Sequence, residues 1–379
     1  QQDRFRFKFI KRKSYRFIAP FFWRMIMETR YQRHIQLSEV GPAGQEKIKK
    51  AKVLIIGAGG LGCPALQYLT AAGVGTLGIM DPDHVSISNL QRQILFNEND
   101  LGKNKVLRAK KYLKTLNPDV KVLTFPFALT HENAEQYISV FDIIIDGTDN
   151  FYTRYLISDL CILLNKVMIY GALYKFEGQV SVFNYNKGPS YRCLFPSPPQ
   201  VGEIPNCNEI GVLGVVPGII GVYQATEAIK VILGLGEILS GKLLCVNLLS
   251  HKNTLLDFEK NQKEIDQIKK QGKVIPIENQ DCFIDFEVSL SQISSEEKIK
   301  WIDVREKDEL PSVSDLNPMR HTVSKDLLLG SEQKIIAFCQ TGIRSKAFVK
   351  KMKNKGIENC FSLKEGAAQL HEWVQKNVK

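Results

Sequence analysis

A glycine-rich turn between an apolar strand and a helix constrains the fold of this chain more than any other segment. Residues 53–62 read Val-Leu-Ile-Ile-Gly-Ala-Gly-Gly-Leu-Gly, and residues 63–72 continue as an apolar helical segment. This arrangement directs backbone N–H groups and a helix N-terminus at a phosphate, and Asp81, about twenty residues further on, can hold a ribose hydroxyl. The candidate phosphate-contacting glycines are Gly57, Gly59 and Gly60. The pattern predicts a nucleotide site and leaves NAD, FAD and ATP open.

Polar and cationic residues follow Asp81 and narrow the choice of nucleotide. Segment 88–93 reads Ser-Asn-Leu-Gln-Arg-Gln, and Lys105 follows it. Arginine can bridge two phosphate oxygens and lysine adds a point charge, so Arg92 and Lys105 suit a triphosphate better than a nicotinamide ring. The candidate nucleotide contacts within the segment are Ser88, Asn89, Leu90, Gln91 and Arg92.

Predicted strands alternate with predicted helices through the first part of the chain. After the glycine turn, strands are predicted at 120–125, 141–145 and 167–171, and helices at 103–116, 131–139 and 151–165. This alternation predicts an α/β fold with a Rossmann-like, doubly wound and mostly parallel sheet. Ligands of such sheets bind at the carboxyl ends of the strands, where Gly60, Asp81 and Asp149 would emerge. Taken alone, Asp149 is better explained as the cap of the helix that follows it.

The net charge of +11 is concentrated at the start of the chain. Residues 1–24 carry eight arginines and lysines and one aspartate, a net charge of +7, which leaves +4 for the remaining 355 residues. The rest of the chain therefore gives no electrostatic reason to expect nucleic-acid binding. Residues 1–27 have three interpretations: a functional basic extension, an Arg-rich targeting segment, or upstream sequence outside the native protein, which we favour.

Apolar runs and cysteines bear on the cellular environment. We find no apolar run of the roughly 18 residues that a membrane-spanning helix needs, and so expect no membrane association. The eight cysteines show no pairing rhythm, which favours a reducing compartment over a disulfide framework. We therefore expect a cytoplasmic protein.

Several longer sequence blocks belong together: Arg30–His34, Gly57–Gly62, Ser88–Gln93, Asp146–Asn150, Tyr191–Pro196 and Gly211–Gly214. On these blocks the chain resembles the MoeB/ThiF type of ubiquitin-activating-like adenylyltransferases, in the form fused to a C-terminal rhodanese domain. The resemblance implies an ATP-binding adenylyltransferase domain at 28–258, a charged linker at 259–285 and a smaller α/β rhodanese-like domain at 286–379. Residues 1–27 form the basic extension described above.

The resemblance implies that ATP and Mg²⁺ bind at the glycine turn. Arg92 and Lys105 would neutralise the phosphates, and Arg33 would reach the nucleotide of the neighbouring subunit in a homodimer. Asp149, with Asn150 beside it, would hold the Mg²⁺ ion, for which one carboxylate plus waters is a common arrangement. The group activated would be the terminal carboxylate of a ubiquitin-like sulfur-carrier protein ending in Gly-Gly.

Two cysteines are candidates for sulfur chemistry. Cys339 lies between a predicted strand, 334–338, and a predicted helix, 346–352, where backbone N–H groups stabilise a thiolate. The alternative is a buried, inert thiol. By resemblance, Cys339 is the rhodanese thiol, with Arg344 facing its sulfur, and it is loaded by a persulfide donor such as a cysteine desulfurase. Cys207, in a loop rich in Pro, Gly and Asn, would react with the activated carrier or be a passive loop cysteine.

The metal content and the pathway are separate questions. Relatives carry a Cys-x-x-Cys pair where this chain has Ser190 and Cys193, and residues 246–281 contain no cysteine. One thiolate cannot build a four-ligand zinc site, so no zinc is expected.

The expected product is a thiocarboxylate for molybdopterin, thiamine or tRNA thiolation pathways. An NAD-dependent oxidoreductase and a non-catalytic carrier-binding scaffold remain as alternatives.

Overall fold

The chain forms two compact units, residues 1–278 and 279–379. The computed structural model describes residues 30–199, 211–274, 287–293, 298–306, 308–320, 333–340, 342–353, 355–357 and 359–377. The basic extension at 1–27 and the candidate thiol Cys207 therefore lie outside the described residues.

The first unit is built on an eight-stranded sheet. Its strands are β1 Lys52–Ile56, β2 Thr76–Met80, β3 Lys121–Phe125, β4 Ile143–Asp146, β5 Val167–Tyr174, β6 Glu177–Phe183, β7 Lys242–Asn247 and β8 Lys252–Asp257. They are ordered β3-β2-β1-β4-β5-β6-β7-β8, parallel from β3 to β5 and antiparallel from β5 onward. This arrangement confirms the predicted Rossmann-like α/β fold with a mostly parallel sheet.

Helices cover both faces of this sheet. They are α1 Gln32–Ile35, α2 Gly41–Lys50, α3 Gly62–Ala72, α4 Lys105–Leu116, α5 Ala134–Ile138, α6 Phe151–Leu163, α7 Tyr191–Leu194, α8 Val215–Leu233 and α9 Gln262–Gln271. Strand β1 shows why two layers are needed: Val53 and Ile55 enter one core cluster, with Leu66 of α3. Leu54 and Ile56 enter the other, which contains much of α6. Because successive strand residues point to opposite faces, an apolar strand is buried on both sides.

Helix α8 is the one described helix that has the length and composition to cross a membrane. The prediction that no run reaches this length is therefore wrong for Val215–Leu233. This helix packs against α3 and β5, and two of its buried residues are polar. Gln224 Nε2 donates to Asp146 O at 2.6 Å, and Leu239 N–H donates to the carboxylate of Glu227 at 3.0 Å. These contacts identify α8 as a core helix of the first unit.

The charged segment predicted as a linker begins with a helix that belongs to the first unit. Ile265 and Ile268 of α9 are buried against Ile162 of α6. The helical spacing of these two isoleucines gives an otherwise polar segment one apolar stripe, and the remaining charged side chains face solvent. The linker interpretation is therefore corrected for Gln262–Gln271.

The second unit is a smaller α/β unit, as predicted. Its strands are β9 Glu287–Val288, β10 Ile299–Asp303, β11 Met319–Arg320, β12 Lys334–Phe338 and β13 Cys360–Leu363, and its helices are α10 Ile343–Lys353 and α11 Ala367–Asn377. The five strands are all parallel, in the order β11-β10-β12-β13-β9. Central strand β12 is buried on both faces, with Ile336 and Phe338 in one cluster and Ile335 and Ala337 in the other.

Replacing Ile265 by alanine tests the assignment of α9 to the first unit. Removing a buried isoleucine side chain should lower the free energy of unfolding by about 2–5 kcal/mol. Urea unfolding followed by circular dichroism measures this loss, and the exposed neighbour Lys263→Ala is the control. Equal stability of the two variants would contradict the assignment of α9 to the first unit and favour the linker interpretation.

Candidate active site

A cavity of about 990 Å³ opens at the carboxyl ends of the parallel strands. It brings together the predicted site residues Gly57, Gly59, Gly60, Asp81, Ser88, Asn89, Gln91, Arg92, Lys105, Asp149 and Asn150. Leu90 does not line it. Its apolar side chain instead packs, partly buried, against the core cluster around α3 and α4, and its place among the nucleotide contacts stays a prediction. Arg33 lies on α1, is exposed, and does not line the cavity of its own chain.

The glycine turn leaves donors directed at the cavity. Gly57 has φ of +96°, and a Cβ there would lie 2.5 Å from the Gly147 carbonyl oxygen, so only glycine fits. The backbone N–H groups of Gly59 and Gly60 have no acceptor among the described residues. Both residues line the cavity immediately before α3. Unpaired N–H groups at this position suit an anion.

Asp81 holds the glycine turn in place. It is buried, and its Oδ2 accepts the Ala58 N–H at 2.7 Å while its Oδ1 accepts the Asp83 N–H at 2.8 Å. Burial raises the pKa of this carboxyl group, against the effect of nearby Lys105 and of the two N–H donors. Asp81 therefore fixes the backbone at the cavity wall, and this structural role is additional to any contact with a ligand.

Arg92 and Lys105 supply positive charge. Arg92 Nη1 donates to Ser88 O at 3.0 Å, and Arg92 forms no ion pair with a described residue. Lys105 Nζ donates to Asp83 Oδ2 at 2.9 Å, and the lysine is buried. Both side chains line the cavity, as a polyphosphate ligand would require.

The end of β4 carries the residues predicted for metal binding. Asn150 caps α6, because its Oδ1 accepts the Thr153 N–H at 2.9 Å. Asp149 is exposed, lines the cavity, and forms no hydrogen bond or ion pair with a described residue. The interpretation of Asp149 as the helix cap is therefore wrong. A carboxylate with both oxygens available fits a magnesium ion that keeps most of its waters.

A buried ion pair beneath this loop was not found from the sequence. Arg154 Nε donates to Asp146 Oδ2 at 2.8 Å, and Asp146 Oδ1 accepts the Thr148 hydroxyl at 2.6 Å. Arg154 Nη2 also donates to Thr148 O at 3.2 Å, and its guanidinium lies 4.9 Å from the centre of the Tyr170 ring. The pair fixes the loop that carries Asp149. An acid at a strand end followed by an arginine in the next helix is the signal that could have indicated it.

Ser190 and Cys193 are joined by hydrogen bonds. The Ser190 N–H donates to Cys193 Sγ at 3.3 Å, and the Asn261 N–H donates to the same sulfur at 3.3 Å. No group of three or more metal-ligating side chains occurs within the described parts of the chain. Cys193 therefore links α7 to the segment that precedes α9.

In the second unit, Cys339 follows β12 directly and precedes α10. The thiol is buried, with Sγ 3.6 Å from the Ser345 hydroxyl. Arg344 forms a bidentate ion pair with Glu309, with both N–O distances 2.6 Å. Gln340 Nε2 donates to Leu310 O at 3.1 Å, so the segment containing Glu309 is attached at two points beside Cys339.

Comparison with known proteins identifies the first unit. A model described as the ThiF family matches residues 31–268. The chain belongs to the ThiF family. A sulfur carrier protein adenylyltransferase of Thermus thermophilus is 47% identical over 239 residues, which cover 62% of this chain and 88% of that protein. A probable molybdopterin-synthase adenylyltransferase of Porphyra purpurea is 45% identical over 293 residues, which cover 74% of this chain and 75% of that protein.

Further relatives differ in length or in sequence. The adenylyltransferase and sulfurtransferase MOCS3 of Aedes aegypti is 46% identical over 237 residues, covering 62% of this chain, and this ThiF-family chain spans about half of it, 54%. The crystal structure of E. coli MccB with ATP matches with a TM-score of 0.54 at 23% identity, over 61% of this chain and 72% of that one, and supports the fold. The relatives confirm the predicted family and the enzyme class, an adenylyltransferase.

Replacing Arg154 by methionine tests the buried ion pair. The change leaves the Asp146 carboxylate buried without its cation, which should lower the free energy of unfolding by about 3–5 kcal/mol. Chemical denaturation measures this loss. The double variant Asp146→Asn/Arg154→Met should lose less than the Arg154→Met single variant, because no unpaired charge remains. A double variant that is less stable than the single one would contradict an ion-pair role.

The Arg344–Glu309 pair should make the stability of the second unit depend on pH. Hydrogen bonds from Arg344, together with the Glu306 N–H, lower the pKa of Glu309 from 4.5 to about 2. A lowered pKa stabilises the folded state above pH 4.5, and the gain disappears as the pH falls towards 2. The difference in melting temperature between wild type and Glu309→Gln should follow this course.

Arg344→Gln serves as the matched control for that experiment. It removes the other partner, so it should show the same pH dependence, and the two substitutions together should add little beyond either alone. Fully additive effects would contradict a direct pair.

Proposed function

We propose that this protein uses ATP and Mg²⁺ to adenylate the C-terminal glycine of a small ubiquitin-like sulfur-carrier protein ending in Gly-Gly. The observation that carries the proposal is the convergence in one cavity of Arg92, Lys105 and Asp149 with the N–H groups of Gly59 and Gly60, which have no acceptor in the part of the chain that the structure describes. The name of the Thermus relative, a sulfur carrier protein adenylyltransferase, supports the choice of substrate.

The chemistry follows from the charges in the cavity. A carboxylate oxygen of the carrier attacks the α-phosphorus of ATP, the bond to the bridging oxygen breaks, and pyrophosphate leaves with the electron pair. Arg92, Lys105 and the glycine N–H groups lie where they can neutralise charge on the phosphates. Magnesium, when bound, neutralises the phosphates further, and Asp149 is the residue that would hold it.

The cavity extends beyond the glycine turn to the β5–β6 hairpin. Residues there include Tyr170, Ala172, Tyr174, Gly178 and Gln179. Backbone and side-chain polar groups along a hairpin suit an extended peptide, and the two glycines of a Gly-Gly tail carry no side chains that the cavity has to accommodate. This part of the cavity supports a protein tail whose terminal carboxylate accepts the adenylyl group.

The second unit supplies sulfur in this proposal. Cys339, loaded as a persulfide by a donor such as a cysteine desulfurase, attacks the acyl-adenylate with its terminal sulfur, and AMP leaves. The acyl disulfide is then cleaved by a second thiol, Cys207 or an external one. That thiol forms a disulfide with Cys339 and releases the thiocarboxylate, and reduction by further thiol restores Cys339. The position of Cys339 between β12 and α10 supports this role.

We also propose a homodimer. Near the cavity mouth the apolar side chains of Ile94, Leu213, Val215 and Ile219 are exposed, and Gly214 packs directly on Gln91, which brings the two segments together. Apolar groups clustered at the surface favour a protein partner. In such a dimer Arg33, which does not line the cavity of its own chain, would reach the cavity of the second copy.

The pathway proposed is molybdenum-cofactor biosynthesis, with thiamine biosynthesis as the other candidate. The name of the Porphyra relative, a molybdopterin-synthase adenylyltransferase, favours the first. The family assignment gives no support to a nicotinamide-dependent oxidoreductase. A cytoplasmic location remains the expectation from the cysteine content.

Two measurements with the carrier protein present test the two steps separately. Exchange of labelled pyrophosphate into ATP reports adenylation, and thiocarboxylate formation on the carrier reports sulfur transfer. Asp149→Ala should abolish exchange, because the carboxylate proposed to hold magnesium is lost. Cys339→Ala should retain exchange and lose thiocarboxylate formation, with Cys360→Ala, another buried thiol of the second unit, as the control. A non-catalytic scaffold would show no exchange in the wild type, and full sulfur transfer by Cys339→Ala would refute its role.

A further inference from the structure

Gln93 is a buried residue of the cavity that the predicted site did not include. It is 3% exposed, yet it lines the cavity beside Arg92. Its Oε1 is buried without a hydrogen-bond partner, and neither amide atom bonds to a described residue. Buried side-chain amides are almost always hydrogen-bonded, so this exception requires an explanation.

The backbone around Gln93 is fixed. The Gln93 N–H donates to Asn89 O at 2.9 Å, and Gln93 O accepts the Phe96 N–H at 3.1 Å. Leu95 and Phe96, two and three residues after Gln93, are buried in the core of the first unit. The fold therefore fixes the Gln93 backbone, from which the side chain extends, and a fixed backbone is the condition for a preorganised contact.

The amide lies above the glycine turn. A Cβ placed on Gly59 would have Gln93 Nε2 as its one neighbour within 4 Å, at 3.9 Å. The Gly59 N–H is itself without an acceptor among the described residues. Two N–H donors, one from the backbone and one from a side chain, thus border the same part of the cavity, and both suit an anionic oxygen.

Keeping an amide at this position works against stability. A buried polar atom without a partner lowers the stability of the fold, and an apolar side chain of similar size would avoid that loss. Residues that reduce stability in this way are expected at functional sites. Oε1 is an acceptor and gains no partner from an anionic ligand, but a ligand oxygen can accept a hydrogen bond from Nε2, which has no partner among the described residues and lies near Gly59.

We propose that Gln93 donates its Nε2–H to a phosphate oxygen of the bound nucleotide, next to Gly59, and so helps to position the polyphosphate chain. The inference rests on the proposed function, since it assigns a contact to the same ATP site. The group that Gln93 contacts is a phosphate oxyanion, so Gln93 should contribute to the binding of the phosphates and not to the binding of adenosine.

Two substitutions separate a hydrogen bond from a role in shape. Gln93→Leu removes the donor, and Gln93→Glu keeps the shape while placing a negative charge against the phosphates. A hydrogen bond to a charged group implies that Leu weakens ATP binding by about tenfold or more, and that Glu weakens it further. Isothermal titration calorimetry with ATP and with adenosine should show that adenosine binds all three proteins equally.

Stability without nucleotide gives an independent readout. Because the amide has no partner among the described residues, Gln93→Leu should melt no lower than wild type in the absence of ligand, and should gain less melting temperature on adding ATP. Gln67→Leu is the control. Gln67 lies on α3, its amide bonds to Tyr112 Oη at 3.3 Å, and it does not line the cavity, so its variant should bind ATP as wild type does.

Each outcome decides the matter. Wild-type ATP affinity in Gln93→Glu, combined with weak binding in Gln93→Leu, would show a role in shape and overturn the proposed contact. Wild-type affinity in both variants, or an equal loss of adenosine and ATP binding, would also overturn it. Failure of the wild-type protein to bind ATP would instead overturn the proposed function, and the contact with it.

Discussion

The close approach of two loops, at Gly57 and Gly147, is the constraint on which the candidate site depends. A Cβ on Gly57 would lie 2.5 Å from the Gly147 carbonyl oxygen, and one on Gly147 would lie 3.0 Å from the Gly57 carbonyl oxygen. Neither position therefore accommodates a side chain without moving a backbone. Because the loops touch, the donors after β1 and the carboxylate of Asp149 after β4 open into the same cavity. The chemistry of the site is thus set by backbone packing before any charged side chain is considered.

The cationic side chains at the cavity are arranged so that the fold is stable without a bound ligand. Lys105 and Arg154, both buried, are each paired with a carboxylate, on Asp83 and Asp146 respectively. Burial has the largest single effect on Arg154 and disfavours its charge, but the Asp146 carboxylate together with Tyr170 and Tyr191 outweighs that effect and raises the pKa of Arg154 above its usual value. Arg92, which is only partly buried, has no such partner among the described residues and can remain hydrated. Buried cations are therefore compensated from within the fold, and the solvent-facing ones are left for the ligand.

The sequence predicted most of the sheet and the residues that carry formal motifs, because apolar strands and glycine turns are local signals. It failed where the outcome depends on residues distant in the chain. The position of α9 depends on Ile162, roughly a hundred residues earlier, and the partly buried side chain of Leu90, which has polar neighbours in the sequence, packs against a core cluster. Gln93 has no pattern of its own, since an unpaired amide is visible only when every neighbour is in place. Cys207 and residues 1–27 fall outside the described residues, and their roles stay predictions.

Asp81 illustrates how a motif residue can have two duties. Its two oxygens accept the N–H groups of Ala58, inside the glycine turn, and of Asp83, two residues after Asp81. Any substitution there would first release the turn, and with it the geometry on which every neighbouring donor relies. Loss of activity in such a variant would thus measure the integrity of the scaffold, and in genetic screens this aspartate should group with the buried core of the sheet and apart from the exposed Asp149.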